Sequence, residues 1–229
     1  MIPIGDDNTH RRGFPVVTIA LIILNAIMFY LQYQGGEAFT IKYSVIPRDF
    51  TDGGSYPWIT LFSAMFMHGG LAHIGGNMLY LYVFGDNVED EMGSMKYLGF
   101  YLLCGIAATY AQIYTDPSSQ IPNLGASGAI SGVLGAYLVL HPRNRVRVWF
   151  GWFVFHVPAF MVLGLYIVTQ IMSAAASTMD VRGGGVAYMA HVGGFVAGVI
   201  LVFIFRNPRN KEPKTGFGPY GGDRSILGS

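Results

Sequence analysis

Long intervals without a single Asp, Glu, Lys or Arg restrict the fold of this 229-residue chain more than any other feature. The ionised residues come in clusters, and six apolar stretches lie between them: Pro15–Tyr33, Leu71–Gly85, Tyr97–Thr115, Ala126–Leu140, Val148–Ser173 and Val186–Phe205. About 20 apolar residues in a helix cross a hydrocarbon core of ~30 Å, and the second and fourth stretches are short by that measure. Charged residues make up 12% of the chain and mean hydropathy is +0.42, whereas a soluble domain is roughly one quarter charged. A net charge of +1 offers no basic face to nucleic acid, and a single cysteine, Cys104, excludes a disulfide framework. The expected fold class is therefore all-α: a polytopic membrane protein built as a six-transmembrane-helix bundle.

Residues 15–205 form one membrane domain on this reading, with residues 1–14 and 206–229 as solvated tails. The first apolar stretch has no small-residue cleavage site and is expected to stay as a membrane helix. An even number of spans puts both termini on one side. That side holds eleven of the lysines and arginines, against three (Lys42, Arg48 and Arg182) on the other. The bias makes both termini cytoplasmic. Spans two, four and six then run inward, and the long loop 34–60 lies outside.

Three segments place polar side chains and glycines inside spans: His68 to His73 and Asn77, Gly125-Ala126-Ser127-Gly128, and Ala190-His191 with Gly194 and Gly198. Polar groups at membrane depth are costly and point to function by default. Counted from the first cytoplasmic charge, His73 lies 13 residues from Asp86, Ser127 lies 16 from Arg143, and His191 lies 15 from Arg206. At 1.5 Å per residue all three stand roughly 20–24 Å above the inner face. Independent structural hydrogen bonds have no reason to share one depth.

A serine hydroxyl needs a neighbouring base to become a nucleophile, and histidine is the usual one. No acid lies in any span; the nearest, Asp116 and Asp180, belong to outer loops. The expectation is a Ser127–His191 dyad, its imidazole oriented by packing. Gly128 and Gly132 on span four, with Ala190, Gly194 and Gly198 on span six, let two backbones meet. His73 and Asn77, four residues apart, share a helix face and can donate to an oxyanion together with the Ser127 amide. His68 is given a structural role. No HExxH occurs and no carboxylate stands by the histidines, so neither metal nor cofactor is expected. Cys104 reads as apolar filler, and Asn25 and Gln112 are polar span residues without an assigned role.

These motifs resemble those of the rhomboid intramembrane serine proteases. GxSG at Gly125–Gly128 is similar to the family's nucleophile motif, HxxxxHxxxN at His68–Asn77 to its second-helix motif, and AHxxGxxxG at Ala190–Gly198 to its sixth-helix motif. The resemblance spans residues 10–206. It implies Ser127 as nucleophile, His191 as general base, and His73, Asn77 and the Ser127 amide as the oxyanion hole. It also implies a membrane-embedded first outer loop, and transmembrane protein substrates cut near their outer ends. Two positions depart from the family pattern. Trp58-Ile59 stands where many members have Trp-Arg, and Ser131 stands where many carry a bulky residue against the histidine. The chain looks like the minimal six-helix form, expected in a bacterial plasma membrane. A catalytically inactive rhomboid-like protein that binds membrane clients is the alternative. A channel or transporter would want charges at the midplane, which are absent.

Overall fold

The structure is a computed structural model that describes residues 2–7, 11–52, 58–177 and 186–207. In chain order, strand β1 (Ile2–Gly5) precedes α1 (Val16–Tyr43), and two short helices, α2 (Pro47–Thr51) and α3 (Ile59–Ser63), follow. Next come α4 (Leu71–Met92), α5 (Ser94–Thr115) and α6 (Ser127–Leu140). A hairpin of β2 (Arg145–Phe150) and β3 (Phe153–Pro158) leads into α7 (Ala159–Ser177) and finally α8 (Tyr188–Phe205). The six long helices form a bundle. By length and composition α1, α7 and α8 can each cross a membrane, and α6 is a shorter apolar helix.

The exterior of the bundle is apolar. Ile23, Ile27 and Leu31 of α1, Leu165 and Val168 of α7, and Ile200 and Phe203 of α8 are all exposed. Such surfaces suit lipid rather than water. The interior is organised around α6, where every residue from Gly128 to Tyr137 is buried. Glycines set how closely its neighbours approach. A Cβ on Gly194 would overlap the carbonyl oxygen of Gly128, and one on Gly198 would overlap that of Gly132. Helices α6 and α8 therefore touch backbone to backbone, as the small-residue spacing predicts.

Two departures from the sequence reading concern the ends of the spans. The apolar stretch Val148–Ser173 is not one helix: its first residues belong to the hairpin, and helix begins at Ala159. Arg145, Val146, Arg147 and Val148 alternate exposed and buried, the period-two pattern of a strand with one covered face. Gly151 turns the hairpin at φ 59°, a conformation that favours glycine. The second departure is at the N-terminus, read as a solvated tail. Its residues 2–5 pair antiparallel with β2, giving a three-stranded sheet in the order β1-β2-β3. Residues 8–10 and 208–229 of the two tails lie outside the described residues, as do Asp180 and Arg182.

The N-terminal segment is held by the carboxylates that close α4. Arg11 pairs with Asp86 at 2.8 Å, and the amides of Arg12 and Gly13 donate to Asp90. Glu89 accepts the Val17 amide at 2.9 Å, the Thr18 amide and hydroxyl at 2.8 Å each, and the Ser94 hydroxyl at 2.6 Å. No residue of α1 caps its own N-terminus, so Glu89 does it from another helix. At the opposite end, α1 continues past the expected Tyr33 limit and breaks at Gly36. The loop 34–60 is thus partly helical in its described residues.

Candidate active site

The helices α4, α6 and α8 all place their first turns at one end of the bundle. His73 is the third residue of α4, Ser127 the first of α6 and His191 the fourth of α8. A common starting level explains why depths counted from the opposite ends agree. The Ser127 hydroxyl and His191 Nε2 stand 2.8 Å apart. That is hydrogen-bond distance for a nucleophile and its base.

The approach of α4 depends on Gly125. It adopts φ 130°, which side chains disfavour, and a Cβ there would lie 2.9 Å from His73 Cε1 and 3.0 Å from Nε2. Its amide donates to the Ala64 carbonyl at 2.8 Å, anchoring the loop that leads into α6. His73 Nδ1 accepts the Gly69 amide at 3.2 Å. In a neutral ring the proton then sits on Nε2, the nitrogen that faces Gly125. One turn further along α4, Asn77 is buried, and its Nδ2 has no hydrogen-bond partner among the described residues. A buried donor without an acceptor is costly unless a ligand supplies one. A small cleft reaches the site, lined by Met65, Gly105, Ala108, Asn123, Ser127 and Ala187 among others.

His68 is buried behind this group, its ring edge-on to Phe29 and to His73 with centroids 6.5 and 5.1 Å apart. Its backbone amide and carbonyl are both bonded by the Gln32 side chain, at 2.9 and 3.0 Å. This clamp ties α1 to the turn before α4. Cys104 is buried against Gly132. Asn25 donates to the Leu21 carbonyl within its own helix. Among the described residues no group of three or more His, Cys, Asp or Glu gathers around a common point.

Two residues at the site escaped the sequence reading, and both come from α7. His191 Nδ1 and Gln170 Oε1 are 2.7 Å apart, so the imidazole is held by an amide and not by packing alone. Ser131 donates to the Ser127 carbonyl at 2.8 Å and meets the Tyr166 hydroxyl at 2.6 Å. Ser131 is thus tied to a tyrosine of the neighbouring helix, while the His191 ring stands edge-on to Tyr188 with centroids 6.4 Å apart. The available signal was their spacing: a hydroxyl and an amide four residues apart on one face of an otherwise apolar span.

The fold and the site define a helical integral membrane protein with a serine–histidine pair set into one end of its bundle. The Rhomboid domain family matches residues 56–208, and the chain belongs to the rhomboid family. It is 29% identical over 197 residues to "Rhomboid protein 1, mitochondrial" of Saccharomyces cerevisiae, covering 84% of this chain and 53% of the yeast protein. "Rhomboid protease GluP" of Bacillus subtilis is 34% identical over 139 residues, 59% of this chain and 26% of the relative. "Putative rhomboid protease YdcA" of the same organism is 25% identical over 202 residues, 86% and 91% of the two chains. The chain spans about half the length of the yeast protein and of a chloroplastic rhomboid-like relative from Arabidopsis thaliana.

Proposed function

We propose that the protein is an active intramembrane serine endopeptidase that hydrolyses a peptide bond near the outer end of a substrate's transmembrane helix. The observation that carries this reading is the 2.8 Å contact between the Ser127 hydroxyl and His191 Nε2. In the acylation step Ser127 Oγ attacks the scissile carbonyl carbon while its proton passes to His191 Nε2. The carbonyl oxygen becomes an oxyanion, met by donors from His73 Nε2, Asn77 Nδ2 and the Ser127 amide at the positive end of α6. As the C–N bond breaks, His191 returns the proton to the leaving amine, and the substrate's acyl group remains on Ser127. Water entering the cleft beside Ser127 then attacks this ester, giving its proton to His191. The imidazole finally reprotonates Ser127 as the carboxylic acid leaves. The chemistry calls on no cofactor and no metal.

Its partners are transmembrane protein substrates and the surrounding lipid. The arginine and lysine distribution puts both termini in the cytoplasm and the dyad below the outer face, in what we take to be a bacterial plasma membrane. The test is purified protein incubated with a single-span substrate in detergent, beside Ser127→Ala and His191→Ala. Cleavage by the wild type, lost in both variants, supports the proposal. Cleavage that survives in Ser127→Ala removes the nucleophile, and an inert wild type that still captures the substrate identifies a client-binding protein.

A further inference from the structure

Gln170 stands on α7, a helix that carries no group of the proposed reaction, yet its amide oxygen lies 2.7 Å from His191 Nδ1. Resting on the proposed Ser127–His191 chemistry, we propose that Gln170 is a positioning residue: its carbonyl holds the proton on Nδ1 and so keeps Nε2 free to act as base. A neutral imidazole has one proton for two nitrogens. If it sits on Nε2, the ring donates to Ser127 and cannot deprotonate it. An amide oxygen only accepts, so Gln170 selects the productive tautomer. It keeps that bond when His191 takes the second proton, because Nδ1 stays protonated throughout the cycle.

The rest of the side chain agrees with this orientation. Gln170 Nε2 points its donors toward Thr169 Oγ1, 3.5 Å away, while the Thr169 hydroxyl donates to the Tyr166 carbonyl at 2.6 Å. The amino end therefore meets an oxygen whose own proton is already committed. The reversed amide would set a donor against Nδ1 and leave Oε1 without a donor. The choice of an amide also has a physical reason. A carboxylate would fix the same tautomer, but an ionised carboxylate at membrane depth is expensive. Gln170 supplies the acceptor without the charge. Tyr166, one turn earlier on the same face, bonds Ser131 beneath the nucleophile, so one helix braces both halves of the dyad.

The test is the pH dependence of kcat and KM on a single-span substrate, for wild type and for Gln170→Leu, Gln170→Asn and Gln170→Glu. Thermal melting follows folding in each. Gln170→Leu loses the acceptor and should lower kcat by at least about tenfold, part of what a general base contributes, with KM little changed. Gln170→Asn keeps the amide but withdraws it by one bond length, about 1.5 Å. It should show the same loss even if the leucine variant fails to fold. Gln170→Glu keeps an accepting oxygen at the same reach, ionised or neutral, and should retain more of kcat than Gln170→Leu. Full kcat in the Gln170→Leu or Gln170→Asn variant, or a Gln170→Glu variant no better than Gln170→Leu, overturns the proposal. Dependence on Ser127 and His191, measured alongside, separates that outcome from a failure of the protease reading itself.

Discussion

Gly198→Ala tests whether backbone contact between α6 and α8 sets the distance at which serine meets histidine. A methyl group at this position would sit 2.6 Å from both Cα and the carbonyl carbon of Gly132. Carbon pairs rest at about 3.5–4.0 Å, so the helices must part by about 1 Å. His191 lies two turns back along α8, about 10 Å away. A parallel separation stretches the 2.8 Å Ser127–His191 contact to about 3.8 Å, beyond the ~3.2 Å reach of a general base. The expected consequence is a loss of about 10²-fold in kcat. Stability should fall by up to about 2 kcal/mol, because overpacking of about 1–3 kcal/mol is only partly offset by the ~1 kcal/mol helix preference of alanine. The assay is cleavage of a single-span substrate, paired with labelling of Ser127 by a fluorophosphonate and a melting curve. Gly164→Ala is the control, since no atom lies within 4 Å of its added Cβ. Wild-type turnover in Gly198→Ala would show that the dyad does not depend on this contact, and that small-residue spacing does not set its geometry.

Three further outcomes follow from the same packing. Tyr166→Phe removes the 2.6 Å contact to Ser131 and should cost about 1 kcal/mol of stability, the value of one hydrogen bond, read as a lower melting temperature. Glu89→Gln replaces an acceptor of four hydrogen bonds with a group that also donates, and should cost about 2–3 kcal/mol, read as a lower melting temperature. Asp6 accepts from the Tyr137 hydroxyl and Asn87 Nδ2 at 2.6 Å each. Burial raises its carboxyl from 3.8 to about 6; the bond from Tyr137 opposes this, Asp86 and Asp7 add to it, and Arg147 counters. The folded state thus holds its proton more tightly than the unfolded chain, so this contribution to stability is full below about pH 4 and is lost as pH rises through 6. Wild type should therefore gain melting temperature over Asp6→Asn as pH falls from 7 to 5; parallel curves would contradict the assignment.

How much of this was legible in the sequence depended on whether one local pattern carried it. The meeting of Ser127 with His191 and the glycines of the α6–α8 contact were legible because each sits in a short motif whose spacing matches a helical turn. The hairpin was not, although Arg145 to Val148 alternate clearly. Apolar residues on both sides of that short strand, and the aromatic run that follows, look the same as membrane helix when only charge is counted. Gln170 and Tyr166 were missed for a different reason. Their partners lie on other helices, and a single amide in an apolar span most often bonds a neighbouring backbone. Glu89 escaped in the same way, because a cap supplied by a distant helix leaves no trace beside the helix it caps.

These long-range bonds share a logic. In lipid, two apolar helix faces gain little hydrophobic energy by meeting, so position must come from close packing and from hydrogen bonds. Helix α6 is fixed along its length: glycines press it on α8, Tyr166 holds its first turn through Ser131, and Tyr137 ties its last turn to Asp6. A hydroxyl that must meet an imidazole within a few tenths of an ångström gains from such a rod, because any tilt of α6 moves Ser127 directly. Helix α8 is pinned by the same glycine contacts, but the longer His191 side chain leaves its ring free to rotate about the side-chain bonds. A fixed serine facing a free ring would still lose its base part of the time. The side-chain bond from Gln170 removes that remaining freedom, which is why the first polar group of α7 to mutate is the amide rather than the tyrosine.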